Sequence, residues 1–259
     1  MALCLVRGTG DVGSAVAHAL YRGGHGIVLH DDAAPAHSRR GMAFTDALFD
    51  GLARLGDVLA KRARDPDDLP YMVRCGRAVP VSRDDFSAIL GLLRPDVLVD
   101  ARMRKRARPE RQIGLAPLTI GLGPNFIAGD TIDIAVETGW GEDLGRVIRK
   151  GATRPLEGEP SPIAGVARER YVYSPVAGIL ITNRAIGERV TAGDPIATVG
   201  ELILTAPITG CIRGLTHDGV RVAPGTKVIE IDPRNDPTLV FGLGDRPQTI
   251  AAAVLSAVS

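Results

Sequence analysis

Hydrophobic and polar positions change character along this chain. Ala2 to Arg7 is a short apolar run, Gly8 to Gly13 a glycine-rich loop, Ser14 to Tyr21 a stretch with helical spacing, and Ile27 to His30 apolar again. That order predicts a βαβ start. The pattern then predicts a long helix around Ala43 to Arg64, a helix over Asp84 to Leu93, and strands over Asp96 to Asp100 and Leu118 to Ile120. Arg74 to Val81 reads as one more short strand, in a stretch interrupted by Pro66, Pro70 and Pro80. Strands alternating with helices imply a parallel sheet. Beyond Gly121, Thr131 to Thr138 and Arg146 to Arg149 read as strands joined by the turn-rich segment Gly139 to Asp143, a predicted hairpin. Ile250 to Val258 reads as a packed helix, too short to span a membrane.

A duplication follows. Ser174-Pro175-Val176-Ala177-Gly178 returns as Ala206-Pro207-Ile208-Thr209-Gly210, 32 residues later. In the same register Gly187 matches Gly219, Val190 matches Val222, Gly193 matches Gly225, Ile196 matches Val228 and Val199 matches Ile231. Two copies are too few for a solenoid, so they are expected to interleave into one closed β unit. The expected fold is therefore α/β: a Rossmann-like parallel sheet followed by a β barrel-sandwich hybrid. The expected boundaries are 1–150 for the first domain, a Pro- and Gly-rich linker at 151–165, the β domain at 166–235, and a helical tail at 236–259.

Composition narrows the function. Thirty-one basic residues face 30 acidic ones, which removes the overall field of a nonspecific nucleic-acid binder and leaves only local basic sites. Cys4, Cys75 and Cys211 are far apart and lack zinc-ligand spacing, so no metal site is expected and a reducing cytoplasm is the default. No signal peptide is legible in the first residues. Cys4 and Cys211 read as small buried hydrophobes, whereas Cys75 lies between Arg74 and Arg77. No Ser/His/Asp set is legible among His18, His25, His30, His37 and His217, which read as packing or surface residues.

Three segments carry the candidate chemistry. Gly8-Thr9-Gly10-Asp11-Val12-Gly13 fits G-x-G-x-x-G between strand and helix, where a helix N-terminus can receive a phosphate. Asp31 stands 18 residues after Gly13, near the place of a ribose-binding acid. Asp11 opposes that reading by placing a negative charge in the loop. The second segment runs from Asp100 through Arg102, Arg104, Lys105, Arg106 and Arg108; arginine binds phosphate or carboxylate with paired donors, though such runs also occur as solvated loops. Third, Gly121, Gly123 and Asn125 follow a strand and can turn backbone amides toward the same rim.

Two resemblances add to this. The duplicated segment resembles biotinyl and lipoyl carrier domains, but its joining segment Val199 to Leu204 has no lysine, and none occurs between Gly151 and Thr226, so a swinging-arm role is not expected. Its tip is apolar, as interfaces are. Arg7-Gly8-Thr9-Gly10-Asp11, Met42 to Ala47, Asp96 to Met103, Ile120 to Phe126 and Leu144 to Ile148 occur in an order that resembles the YqeB-type accessory proteins of selenium-dependent molybdenum hydroxylases. The resemblance implies a role in maturing a hydroxylase of the xanthine dehydrogenase type. Its implied ligand is the molybdenum cofactor or its nucleotide form, its implied partner the client hydroxylase, with a homo-oligomer as a further option; neither nucleic acid nor membrane is expected as a partner. Two alternatives stay open: an NAD(P)-dependent oxidoreductase, and a noncatalytic scaffolding or regulatory protein.

Overall fold

Leu3–Arg7 and Gly26–His30 form adjacent parallel strands, β1 and β2, joined by helix α1 (Asp11–Arg22). The computed structural model that gives these elements describes residues 1–104, 107–155 and 160–259. Next come the short helix α2 (Ala47–Asp50), β3 (Leu52–Leu55), β4 (Val58–Arg62), α3 (Leu69–Cys75), β5 (Val79–Ser82), α4 (Phe86–Leu93) and β6 (Val97–Asp100). Then follow β7 (Leu118–Leu122), β8 (Ile127–Ala128), β9 (Ile134–Val136), β10 (Val147–Ile148) and β11 (Gly151–Ala152).

Nine of these strands make one sheet in the order β10-β9-β7-β6-β1-β2-β5-β4-β3. Its interior pairs are parallel, but β3 and β10 run antiparallel at the two edges. The expected Rossmann-like parallel sheet is thereby corrected to a mixed one. The expected long helix over 43–64 is corrected as well: Gly51, at φ +86°, ends α2 after one turn, and Gly56-Asp57 reverses the chain so that Leu55 pairs with Val58. Glycine followed by aspartate between apolar runs is a hairpin turn signal.

Side-chain alternation covers the sheet on both faces, which explains why its strands read as continuous apolar runs. Cys4, Val6, Leu29 and Val99 meet α1, whose Val12, Val16 and Leu20 also pack with Ile250, Ala251 and Val254 of the last helix (Asp245–Val258). Leu5, Val28 and Leu98 point the other way, toward Leu69 of α3 and Ile89 and Leu93 of α4. Each such fully buried aliphatic side chain contributes about 1.5–3 kcal/mol.

Contacts divide the chain differently from the boundaries expected from composition. One unit comprises Met1–Ala33, Ala43–Glu157 and Leu243–Ser259; the other comprises Ala34–Met42 and Gly158–Gly242. The closing helix is thus part of the first unit rather than a separate tail, and a nine-residue segment from the N-terminal region belongs to the second.

The second unit contains β12 (Tyr171–Tyr173), β13 (Gly178–Ile181), β14 (Arg189–Val190), β15 (Pro195–Val199), β16 (Leu202–Thr205), β17 (Gly210–Leu215), β18 (Arg221–Val222) and β19 (Lys227–Asp232). They form two antiparallel four-stranded sheets, β12-β19-β17-β14 and β16-β15-β13-β18. Each sheet takes two strands from each copy of the repeat. The closed barrel-sandwich hybrid expected from the duplication is corrected to this pair of separate sheets. Gly210 has no room for a side chain, because a Cβ there would lie 2.2 Å from the Asp232 carbonyl oxygen.

A buried ionic cluster centres on β19 in this unit. Glu230 is inaccessible and accepts hydrogen bonds from Arg39 Nε (2.9 Å) and Nη2 (3.0 Å), Arg170 Nη1 (3.2 Å) and Lys227 Nζ (2.9 Å). Asp232, equally buried, accepts from Arg213 Nη1 at 3.1 Å and Arg234 Nη2 at 2.7 Å. Burial works against the Glu230 charge, yet Lys227 and Arg39 hold its pKa far below the ordinary carboxylate range.

Candidate functional site

Strand order reverses at β1: the chain builds outward through β2 on one side and then resumes with β6 on the other. Open sheets with parallel strands offer a crevice at such a point, beyond the strand C-termini. There Arg7 ends β1, and Gly8 turns at φ +109°, where a Cβ would lie 2.8 Å from the Ala101 carbonyl oxygen. A Cβ on Gly13 would lie 1.9 Å from the Gly8 oxygen, so glycine is required for α1 to pack on its own loop. Gly10 begins α1 in an extended conformation with no side chain capping it, and Asp11 accepts the Val12 amide at 3.0 Å.

Asp31 does not stand open as a ribose partner would. Its Oδ2 accepts from the Thr9 amide (2.6 Å) and hydroxyl (2.8 Å), and its Oδ1 accepts the Asp32 amide (2.9 Å). Hydroxyls of Ser14 and Thr45 both donate to the Thr9 carbonyl at 2.8 Å. These bonds fasten the glycine loop to β2 and to the start of α1.

Across the reversal point, Asp100 is 3% exposed at the end of β6. It accepts Arg102 Nε at 3.0 Å and Gln112 Nε2 at 2.7 Å, and pairs with Arg102 Nη2. Arg102 also pairs with Glu110, which in turn accepts Arg7 Nη1 at 2.9 Å. Two guanidiniums, one buried and one largely so, therefore share one carboxylate whose side chain is 47% exposed. The Arg7 guanidinium lies 3.6 Å over the Phe86 ring, and its buried Nε has no hydrogen-bond partner among the described residues. Burial and the neighbouring Arg102 lower the Arg7 pKa. Burial also opposes the Glu110 charge, but hydrogen bonds from Arg102 and Arg7 bring its pKa down to about 2. His30, buried beside this group, has its pKa lowered by desolvation and meets the Asp84 carbonyl at 2.8 Å through Nε2.

The third loop reaches the same rim from β7. A Cβ on Gly121 would lie 2.5 Å from the Phe126 ring, and Gly123, at φ +110°, places its own near Met103 Sδ, at 3.4 Å. Asn125, at φ +74°, donates to the Ala107 carbonyl at 3.3 Å, so it ties this loop to the basic segment. Asp100, Arg102, Glu110, Leu122 and Phe126 line a cavity of about 10 Å³, room for one water. Arg104 and Arg108 are exposed on its wall. Lys105 and Arg106, counted in the basic segment, lie outside the described residues.

The rim thus brings Gly8, Asp100, Arg102 and Gly123 together, while Asp31 is turned into the loop. Sequence reasoning passed over Arg7, Glu110, Gln112 and Phe86. An arginine as the last residue of an apolar strand was the one available signal. Elsewhere, burial pushes the Cys4 thiol up to about 12 and raises that of Cys211, in keeping with core positions; Cys75 is exposed at the end of α3.

Over 256 residues, 99% of its length, the chain is 36% identical to YqeB of Escherichia coli strain K12. The chain is thus similar to YqeB. It spans about half the length of YqeB, 47%, a protein itself described as uncharacterized. No protein-family model matches the sequence. Among solved structures, similarity extends to the product-bound ectoine utilization protein EutE of Ruegeria pomeroyi, at 12% identity and a TM-score of 0.26 over 89% of this chain and 85% of that one. A succinylglutamate desuccinylase from Silicibacter sp. TM1040 follows at 14% identity and a TM-score of 0.25, over 89% and 84%. At these scores the strand order above, rather than either likeness, defines the fold of this chain. No helix among its described residues is long and apolar enough to cross a membrane.

Proposed function

We propose that this chain is a cytoplasmic accessory protein in the maturation of a molybdenum hydroxylase, receiving the phosphate of a molybdopterin-type cofactor at the rim between β1 and β6. The observation that carries this reading is the pair Arg7 and Arg102 converging on the half-exposed Glu110, beside a glycine loop at the strand-order reversal. The residues fit an anionic group: two fixed guanidiniums suit a phosphate, and the orphaned Arg7 Nε is a donor still to be satisfied. Arg7 and Arg102 would hold the phosphate, with the backbone of Gly8 to Gly10 facing it. The cavity of about 10 Å³ requires that Glu110 swing outward first, and its exposure permits that.

An NAD(P)-dependent oxidoreductase has less support, because both Asp31 oxygens already accept hydrogen bonds within the loop region. For contact with the client hydroxylase or a second copy, the second unit offers an apolar row. Ile181 pairs across Thr198 to Ile203, and Ile181 and Ile203 are 53% and 64% exposed.

Calorimetric titration with a molybdopterin dinucleotide and with NAD(P) tests the rim. The dinucleotide is expected to bind, and Arg102→Ala to weaken it by about 1.5–3 kcal/mol, the value of a hydrogen bond to a charged group. Gly10→Val is expected to abolish binding if the ligand approaches the loop backbone. Unchanged affinity in both variants would remove the rim from the site.

A further inference from the structure

A second concavity opens on the same sheet edge, where β4 and β5 end. It has a volume of about 480 Å³, within the ~300–1,000 Å³ range of small-molecule sites. Lys61, Arg62, Arg64 and Arg83 line it together with Asp50 and Asp84. Elsewhere in the first unit Arg7, Arg102, Arg146 and Arg154 each meet a carboxylate. Lys61, Arg64 and Arg83 are exposed and meet none among the described residues. Arg62 differs, since its Nη1 donates to the Leu48 carbonyl at 2.5 Å and so braces the wall.

We propose that this groove is an anion site separate from the β1–β6 rim, taking a phosphorylated small molecule that carries hydroxyl or amino donors, of the nucleotide or sugar-phosphate class. Lys61, Arg64 and Arg83 bind the phosphate. Three like charges gathered in one concavity repel one another until an anion enters, and the C-terminal edge of parallel strands is where such ligands bind. Asp84 gives the site its second preference. The Ser82 hydroxyl donates to its Oδ2 at 2.7 Å, which fixes the carboxylate as an acceptor for a ligand hydroxyl or amine. Separation from the rim follows from strand order: β2 lies between β1 and β5, two spacings or about 10 Å, and the exposed Asp32 at its end repels a continuous anion.

Calorimetry with pyrophosphate and with adenosine diphosphate, on the whole protein with and without Arg102→Ala, which weakens the rim, separates the groove from it. Saturable one-to-one binding of both probes is expected, with adenosine diphosphate the tighter. Arg64→Ala and Arg83→Ala should each raise the dissociation constant at least fivefold, and Asp84→Asn should bring the diphosphate down to the pyrophosphate level. Because these side chains are exposed, circular dichroism should show the variants folded. Absence of saturable binding overturns the proposal. So does a small, equal loss for every surface cation that vanishes at high salt, the behaviour of a merely solvated charge cluster. Probe binding that disappears with Arg102→Ala alone and ignores Arg64→Ala and Arg83→Ala assigns the anion to the rim and likewise overturns the groove. The rim reading itself stands or falls on the dinucleotide titration.

Discussion

Glu110 in the first unit and Glu230 in the second both gather guanidiniums, under opposite conditions. Glu230 is sealed from water and held by Arg39, Arg170 and Lys227, so no ligand reaches it and its loss strands buried charge. Glu110 stands half in solvent and bridges the buried Arg7 and the largely buried Arg102. Its carboxylate can leave and an incoming anion can take its place. The contrast shows that the number of ion pairs says little about role. The accessibility of the carboxylate separates a fastening from an exchangeable position.

The strongest test of the contrast is Glu230→Ala, expected to destabilise by about 3–5 kcal/mol, the range for removing one partner of a buried pair, as read from denaturant unfolding. A loss below about 1 kcal/mol would make the cluster dispensable. Acid is next. Because the folded pKa of Glu230 is depressed, its contribution is complete above the ordinary value of 4.5 and is lost as pH falls through the depressed one. The Glu110 contribution follows the same sign, fading between 4.5 and about 2. Stability should therefore fall with pH below 4.5, and Glu230→Gln should flatten that dependence far more than Glu110→Gln. Arg102→Ala should cost about 1–3 kcal/mol of stability, because Asp100 then keeps only Gln112 and a backbone amide. Smallest of all, Glu110→Gln should change stability by less than about 1 kcal/mol, as exposed pairs do, while tightening anion binding at the rim. Weaker anion binding in Glu110→Gln would show that Glu110 does not compete for the position.

Local signals were the legible ones. Gly8, Gly10 and Gly13 announced a strand-to-helix turn because glycine spacing is a backbone property, and the Ser174/Ala206 repeat announced two copies that each give two strands to each sheet. The edges of the nine-stranded sheet were not legible: β3 and β4 carry enough Leu, Ala and Arg to mimic a helix, and only Gly51 and Gly56 contradict it. Nor was the rim complete in the sequence. Arg7 and Glu110 are 103 positions apart, and no periodicity connects a strand end to a residue in the crossover between β6 and β7. Asp31 directly follows β2, and its hydrogen bonds to Thr9 were hidden because they depend on the tilt of the loop.

The pairing of Arg39 with Glu230 spans 191 residues. On a ribosome adding roughly 5–20 residues per second, roughly 10–40 s pass between synthesis of the two partners. Through that interval Arg39 waits without the carboxylate that will hold it. Helix α1 waits longer still, with Val12, Val16 and Leu20 lacking the closing helix that covers them. The core of the first unit is therefore complete only once Asp245–Val258 has been made and has packed on α1.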